Sequence, residues 1–348
     1  MIRGRIIRFL EQCWYSKPGP LYLLIPLEWA FRLAVFFRRN TLLKKKQKIP
    51  LPTIVVGNIT VGGTGKTPVV IALAKYLKAQ GYKPGIISRG YSKDRDIDQN
   101  TYSIVVNENS DPAVVGDEPL VIVTKTKCPF VVNLDRVKAG RDLIKHFPEC
   151  DVLISDDGLQ HYKMHRDLEI CVLDGERMAG NGHQLPVGPL REGIHRLHDV
   201  NWIMVNEPHD INSANSLTDK AVVPITIKPA ALINLQSQET KPLNFLRELE
   251  RFVAVAGIGN PERYFRTLET YTSNFERAPF TDHHPYKLED FVWYGHQTVV
   301  MTAKDAVKCR PFAKSNWWYL DVDAKLENGF LAQFHQQLDA IIQKLSHN

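Results

Sequence analysis

The stretch "IVVGNITVGGTGKTPVVIALAKYL", Ile54 to Leu77, decides the fold. Leu51 to Gly57 is an apolar run that begins among prolines and reads as a buried strand. Pro68 to Gln80 carries apolar residues at helical spacing, with Pro68 in the first turn and Gly81 as the stop. A glycine loop lies between them. "KPGIISRG", Lys83 to Gly90, supplies a second strand, so strand, loop, helix and strand make a βαβ unit.

Within the loop, Gly62, Gly63 and Gly65 let the backbone curl so that successive N–H groups point at phosphate oxygens. Lys66 can reach the terminal phosphates, the Thr67 hydroxyl suits Mg2+, and the helix start aims its positive end at the same anion. Thr60, Val61, Gly62, Gly63, Thr64, Gly65, Lys66 and Thr67 are therefore the candidate nucleotide-binding residues. The strict G-x-x-x-x-G-K-[ST] spelling asks for glycine where Thr60 stands, so only its GK[ST] end is met. A second spelling, K-G-G-x-G-K-[ST], belongs to ATPases that dimerise on membranes, and it asks for lysine where Val61 stands. An apolar side chain there weakens that reading. A glycine-rich turn that binds nothing is the bland alternative, and the βαβ context disfavours it.

Such a loop needs a metal-holding acid at the end of a neighbouring strand. "CDVLISDDGLQH", Cys150 to His161, offers Asp156 and Asp157 at the exit of a strand-like run, although paired acids also cap loops. In "VGDEPL", Val115 to Leu120, Asp117 either accepts a proton from an attacking hydroxyl or caps the segment that follows. "FTDHHPY", Phe280 to Tyr286, sets Asp282, His283 and His284 in a loop. A histidine beside a carboxylate can relay a proton, while two histidines in a surface turn are often inert. "SRGYSK" follows the second strand directly. Loops at the carboxyl ends of strands face the ligand in doubly wound sheets, which makes Arg89 and Tyr91 candidate contacts. "VAGIGNPERYF", Val255 to Phe265, lacks the third glycine of a dinucleotide fingerprint and reads as a turn opening a helix at Pro261 and Glu262.

The 348 residues suit two domains, each with its own core. Five cysteines without C-x-x-C spacing point to reduced thiols and away from disulfides or zinc. The net charge of +6 is unevenly placed: residues 1–48 hold eleven Lys or Arg against two acids, a net +9, so the remaining 300 residues carry −3. That distribution argues against a nucleic-acid partner. The apolar run Leu21 to Phe37 is broken by Pro26, Glu28 and Arg32, a poor match to the roughly 20 apolar residues of a span. No cleavage site for a signal peptide follows it. Glu28, Arg32 and Arg39 fall on one helical stripe, and three lysines follow. This pattern fits an amphipathic helix lying on an anionic membrane surface. An ordinary core helix with a solvated charged stripe is the alternative.

In chain order, "WY" at Trp14 and Tyr15, "VGNITVGGTGKTP", "SRGY", "VGDEP", "DRVKAG", "SDDGLQH", "LPVGPLRE", "TDHHPY" and "TAKDAVK" resemble the tetraacyldisaccharide 4′-kinases (lipid A 4′-kinases) over nearly the whole chain. The resemblance implies transfer of the γ-phosphate of ATP, with Mg2+, to the 4′-hydroxyl of a tetraacylated glucosamine disaccharide 1-phosphate. It implies a peripheral enzyme on the cytoplasmic face of the bacterial inner membrane, with an acylated disaccharide lipid as substrate and no obligate protein partner. It assigns Asp117 as catalytic base working with His283, and Lys66 to the phosphates. Thr67, Asp156 and Asp157 go to the metal, with Gln160 and His161 beside them. Glu118, Arg136, Arg191 and Glu192 go to phosphate or substrate contacts. Ala303 stands where the family pattern leads one to expect glutamate.

The expected fold is α/β: a P-loop kinase-like sheet flanked by helices, a second smaller α/β domain and an N-terminal amphipathic helix. The expected division is 1–48 for the membrane-associating segment, 49–210 for the nucleotide part, and 211–348 for a part covering the cleft, with the C-terminal helix. A second functional class stays open at this point: a membrane-recruited P-loop ATPase switch acting on a protein partner.

Overall fold

The computed structural model describes residues 9–15, 19–90, 102–208, 215 and 217–346. Helix α1 (Ile25–Lys44) precedes the body of the fold. The body opens with β1 (Thr53–Gly57), α2 (Lys66–Ala79), β2 (Pro84–Ser88), β3 (Ile104–Val105), α3 (Asp117–Thr126) and β4 (Phe130–Val132). It continues with α4 (Arg136–His146), β5 (Val152–Asp156), β6 (Leu168–Asp174), β7 (Trp202–Asn206), β8 (Val222–Asn234) and β9 (Thr240–Lys241). The last elements are β10 (Phe252–Ala256), α5 (Pro261–Glu269), β11 (Phe275–Pro279), β12 (Thr298–Thr302), α6 (Ala303–Cys309), β13 (Trp317–Lys325) and α7 (Asn328–Ser346).

The strands form one 13-stranded sheet in the order β11-β10-β12-β13-β8-β7-β6-β1-β5-β2-β4-β3, with β9 paired to β8. From β7 to β4 every pairing is parallel, as it is from β11 to β13. Strand β8 joins the two sets: Val222 to Ile225 run parallel to β7, and Thr226 to Asn234 run antiparallel to β13. Strands β1, β5 and β6 are buried along their whole length, as expected where helices cover both faces of a parallel sheet. α2 and α7 cover one face through Leu73, Leu77, Phe330 and Phe334. α4 covers the other through Val137 and Leu143. In the second set, α6 and α5 take opposite faces. Helix α7, grouped by the sequence reading with residues 211–348, packs back onto the first set, where the Phe330 ring lies 5.3 Å from that of Trp202.

The βαβ unit forms, but its two strands are not neighbours. β5 lies between β1 and β2, which brings the exit of β5 beside the glycine loop.

Helix α1 is inside-out relative to a soluble helix. Glu28 is its one buried residue; it accepts from the Gln184 N–H at 3.0 Å and sits 2.8 Å from His183 Nδ1. Arg32 donates to the Gln184 side chain at 2.9 Å, and Arg39 to Asp199 at 2.6 Å. The charged stripe therefore docks on the body, which overturns the alternative of a solvated stripe. Leu27, Trp29, Leu33, Phe36 and Phe37 face outward, each more than half exposed. The stretch Gly19–Lys44, 26 residues with an 18-residue window of mean hydropathy 1.5, is long and apolar enough to cross a membrane by length and composition. Glu28, Arg32 and Arg39, which the sequence reading set on one helical stripe, are the residues that dock, and the apolar side chains are left on the outer face.

Candidate functional site

Loops from the carboxyl ends of β1, β5 and β6 meet in one crevice, the usual ligand position in a parallel sheet. The loop after β1 turns at Gly62 and Gly65, with φ of 103° and 91°, a region that L side chains avoid. At Gly65 a Cβ would also stand 2.6 Å from Ile227 Cδ1, so glycine alone fits. The loop is pinned by the "LPVGPLRE" segment: Val61 donates to the Pro189 carbonyl at 2.9 Å, and Arg191 N–H to that of Ile59 at 2.7 Å. Thr60 bridges Leu190. Lys66 then opens α2, and Thr64, Lys66 and Thr67 are buried.

Asp156 ends β5 and Asp157 follows. Lys66 Nζ stands 3.5 Å from Asp157 Oδ1, and Arg191 donates to Asp157 Oδ2 at 3.2 Å. Burial pushes the Asp157 carboxyl up, but the cations Lys66 and Arg191 outweigh it and hold it at about 2. Burial, with the nearby charges of Glu118 and Asp157, raises Asp156. Asp156 Oδ1 has no hydrogen-bond partner among the described residues. Arg136, the first residue of α4, is buried and donates to the Asn133 carbonyl at 2.8 Å. Burial lowers its guanidinium to about 10 against the pull of Asp156 and Asp157. His161 is held at about 3 by burial and by Arg136, so it is a neutral imidazole. Gln160 donates to the Asn58 carbonyl at 2.9 Å and to Glu192 at 2.8 Å, and the Tyr162 hydroxyl donates to the other oxygen of Glu192. Arg89 is exposed at the exit of β2. Tyr91 lies outside the described residues.

The opposite wall comes from α3 and the far half of the chain. Asp117 begins α3; its Oδ1 accepts from the Glu118 N–H at 2.9 Å, and its Oδ2 lies 3.1 Å from His283 Nδ1. Of the two adjacent histidines, His283 meets Asp117, while His284 stands 3.1 Å from Asp290. Two lysines from α6 complete this wall. Lys308 Nζ is 3.7 Å from Asp117, and Lys304 pairs with Glu118. Burial raises the Asp117 carboxyl, but the His283 hydrogen bond, Lys304 and Lys308 overcome it and bring it to about 2. The same hydrogen bond raises His283 above its ordinary value. In the pair, then, it is the histidine that gains basicity.

The sequence reading assigned no role to Lys304 or Lys308, which appear only inside "TAKDAVK", nor to Asn206. Their signal was present: two lysines four apart at the start of a helix after a strand share one face. Asn206 is 1 % exposed at the exit of β7, and its amide has no hydrogen-bond partner among the described residues. Its Nδ2 stands 3.1 Å from the Cβ position of Gly65.

Residues 21–342 match the family described as Tetraacyldisaccharide-1-P 4'-kinase. The chain belongs to that family. A tetraacyldisaccharide 4'-kinase of Methylobacillus flagellatus is 40 % identical over 340 residues, covering 97 % of this chain and 98 % of that one. One from Ruthia magnifica is 43 % identical over 320 residues, covering 91 % and 97 %. Among solved structures, LpxK from Aquifex aeolicus in complex with ATP superposes with a TM-score of 0.75 at 28 % identity, covering 92 % of this chain and 99 % of that one. The family's α/β architecture is thus the architecture seen here, N-terminal apolar helix included.

Proposed function

We propose that the protein transfers the terminal phosphate of ATP to the 4′-hydroxyl of a tetraacylated glucosamine disaccharide 1-phosphate, the phosphotransferase activity for which its relatives are named. One observation carries the reading: in a chain of this family, the glycine loop that ends in Lys66 lies beside the loop that brings His283 to Asp117, since a Cβ on Gly259 would stand 3.8 Å from Gly63 N and 3.5 Å from Asp282 Oδ2. Phosphoryl transfer asks a protein mainly for positioning and charge neutralisation. The Thr60–Thr67 loop holds the donor phosphates, and Lys66, Arg191 and Arg136 offset their charge. The Thr67 hydroxyl and the carboxylates of Asp156 and Asp157 are hard oxygen donors of the kind Mg2+ takes, and the buried, unpartnered Asp156 Oδ1 fits that role. A bound Mg2+ would draw charge from the phosphates. Gln160, His161, Glu118, Glu192, Arg89 and Tyr91 belong to the surrounding contacts.

Asp117 takes the hydroxyl proton and passes it to Nδ1 of His283, where the carboxylate stabilises the resulting imidazolium. This order follows from the low affinity of Asp117 for a proton and the raised affinity of His283. The exposed apolar face of α1 and the basic residues around it support peripheral docking on the cytoplasmic face of an anionic membrane, where an acylated acceptor resides. Residues 49–210 carry the donor side, and residues 211–348 bring His283 across.

The test mixes purified protein, ATP labelled in its terminal phosphate and the disaccharide lipid. Label should pass to the lipid at the 4′ position. ATP hydrolysis with no labelled lipid would instead favour a switch acting on a protein partner.

A further inference from the structure

The mechanism leaves two sequence features unused: the aromatic pair Trp14–Tyr15, and a loop with Val61 where a related spelling places a phosphate-binding lysine. In the fold they meet. The Tyr15 hydroxyl donates to the Val61 carbonyl at 3.3 Å. Trp14 fixes this segment from both sides, its indole N–H donating to the Pro186 carbonyl at 3.1 Å and its own carbonyl accepting from Asn181 N–H at 2.8 Å.

The Tyr15 ring also carries a guanidinium. Arg177 Cζ lies 4.8 Å from the ring centroid. Arg177 comes from the turn after β6, where Asp174 Oδ1 accepts from the Glu176 and Arg177 N–H groups, each at 3.0 Å. Its Nη1 stands 3.7 Å from the point a Cβ on Gly62 would occupy, against the tip of the glycine loop. Arg263 and Arg266, by contrast, are engaged by the carboxylates of Asp174, Glu207 and Glu176. The ion pairs found among the described residues do not include Arg177, whose guanidinium meets both the ring and the hydroxyl of Tyr15. A cation held beside a phosphate loop without an acid to neutralise it has the chemistry of an anion contact.

We propose that Arg177 is a donor-phosphate contact, supplying within the same chain the positive charge that Val61 cannot, and that Tyr15 positions it. The inference rests on the nucleotide reading of the loop given above. The planar guanidinium can stack on the tyrosine ring while its edge meets phosphate oxygens. The hydroxyl bond to Val61 ties the stacking platform to the loop itself, so both move as one. Through Tyr15, the segment ahead of α1 takes part in holding the nucleotide.

Full-length protein in detergent tests this with a fluorescent N-methylanthraniloyl ATP analogue, without acceptor lipid, alongside KM for ATP and for lipid in turnover. Arg177→Gln should weaken analogue binding and raise KM for ATP about tenfold or more, the loss of one charge-assisted contact, while KM for lipid holds. Arg177→Lys should lose less, and it keeps the question answerable if the glutamine variant does not fold. Tyr15→Leu should weaken the analogue about threefold through loss of the ring, with Tyr15→Phe, which keeps the ring and loses the hydroxyl bond to Val61, falling between it and wild type. Analogue binding by Arg177→Gln and Arg177→Lys equal to wild type would overturn the proposal, as would equal losses in Tyr15→Phe and Tyr15→Leu. A wild-type protein that binds no analogue would defeat the nucleotide reading itself, and this inference with it.

Discussion

Two apolar helices of this chain turn opposite faces to the protein. α2 buries Val69, Val70, Ile71, Leu73, Ala74 and Leu77 against the sheet and α7. α1 buries Glu28 and leaves Leu27, Trp29, Leu33, Phe36 and Phe37 outside. Their sequences differ little in apolar content, so composition alone does not say which face goes where. The partner does. A buried carboxylate is tolerated only where it is matched, and Glu28 finds the Gln184 N–H and His183. The apolar face of α1 has no protein to cover it among the described residues, and an exposed patch of that kind marks an interface. α2 is held by the fold and begins at the end of the glycine loop; α1 is held by a polar stripe and leaves its apolar side exposed.

That contrast can be broken at several points. The largest effect belongs to the start of α2: Lys66→Ala should lower kcat by about 10²–10³, the usual loss for one charge-stabilising donor, measured by label transfer to lipid. A rate near wild type would remove α2 from the chemistry. Further along the same helix, Leu73→Ala should cost about 2–5 kcal/mol in chemical unfolding, because the side chain is fully buried. On α1, Glu28→Ala should cost about 1–3 kcal/mol by leaving the Gln184 N–H without its acceptor. A neutral result there would mean that the stripe does not dock the helix.

The Asp117–His283 pair supplies a pH prediction. Since His283 must be neutral to receive the proton, and since Asp117 raises its pKa, activity should rise with pH through a midpoint above the ordinary histidine value of about 6.5. A limb near 4 in kcat/KM would place the base on an isolated carboxylate instead. The smallest effect on stability is expected on the outer face of α1. Leu33→Ser with Phe36→Ser should change unfolding free energy by about 0.5 kcal/mol or less, yet move the protein from sedimenting vesicles of anionic lipid to the supernatant. Unchanged sedimentation would leave the apolar face without its partner.

The first half of the fold was legible because its signals are local. β1 and β5 are short, wholly buried strands built on the apolar runs Ile54–Val56 and Val152–Ile154, and the ends of α2 are marked by Pro68 and by Gly81 with its φ of 92°. The extent of β8 was not legible. It contains Pro224 and Pro229, is buried irregularly, and changes partner between Ile225 and Thr226, so neither alternation nor a continuous apolar run identifies it. At the site, the loop and the strand-end acids were readable from spacing. The insertion of β5 beside β1, which makes them neighbours, was not. The choice between His283 and His284 was beyond any local rule. It is decided by backbone and packing: His283 has a φ of 55°, while His284 packs 4.8 Å from the rings of both Phe280 and Tyr286. Lys304 and Lys308 reach Asp117 and Glu118 only because α6 folds back across roughly half the chain.

The most direct test is a crystal of the protein soaked with a non-hydrolysable ATP analogue. The triphosphate should lie along the amides of residues 62–67, with Lys66 on its terminal groups and the Asp117–His283 pair facing the last phosphorus. Density for the triphosphate elsewhere, or a terminal phosphorus turned away from Asp117 with no path for a hydroxyl between them, would contradict it.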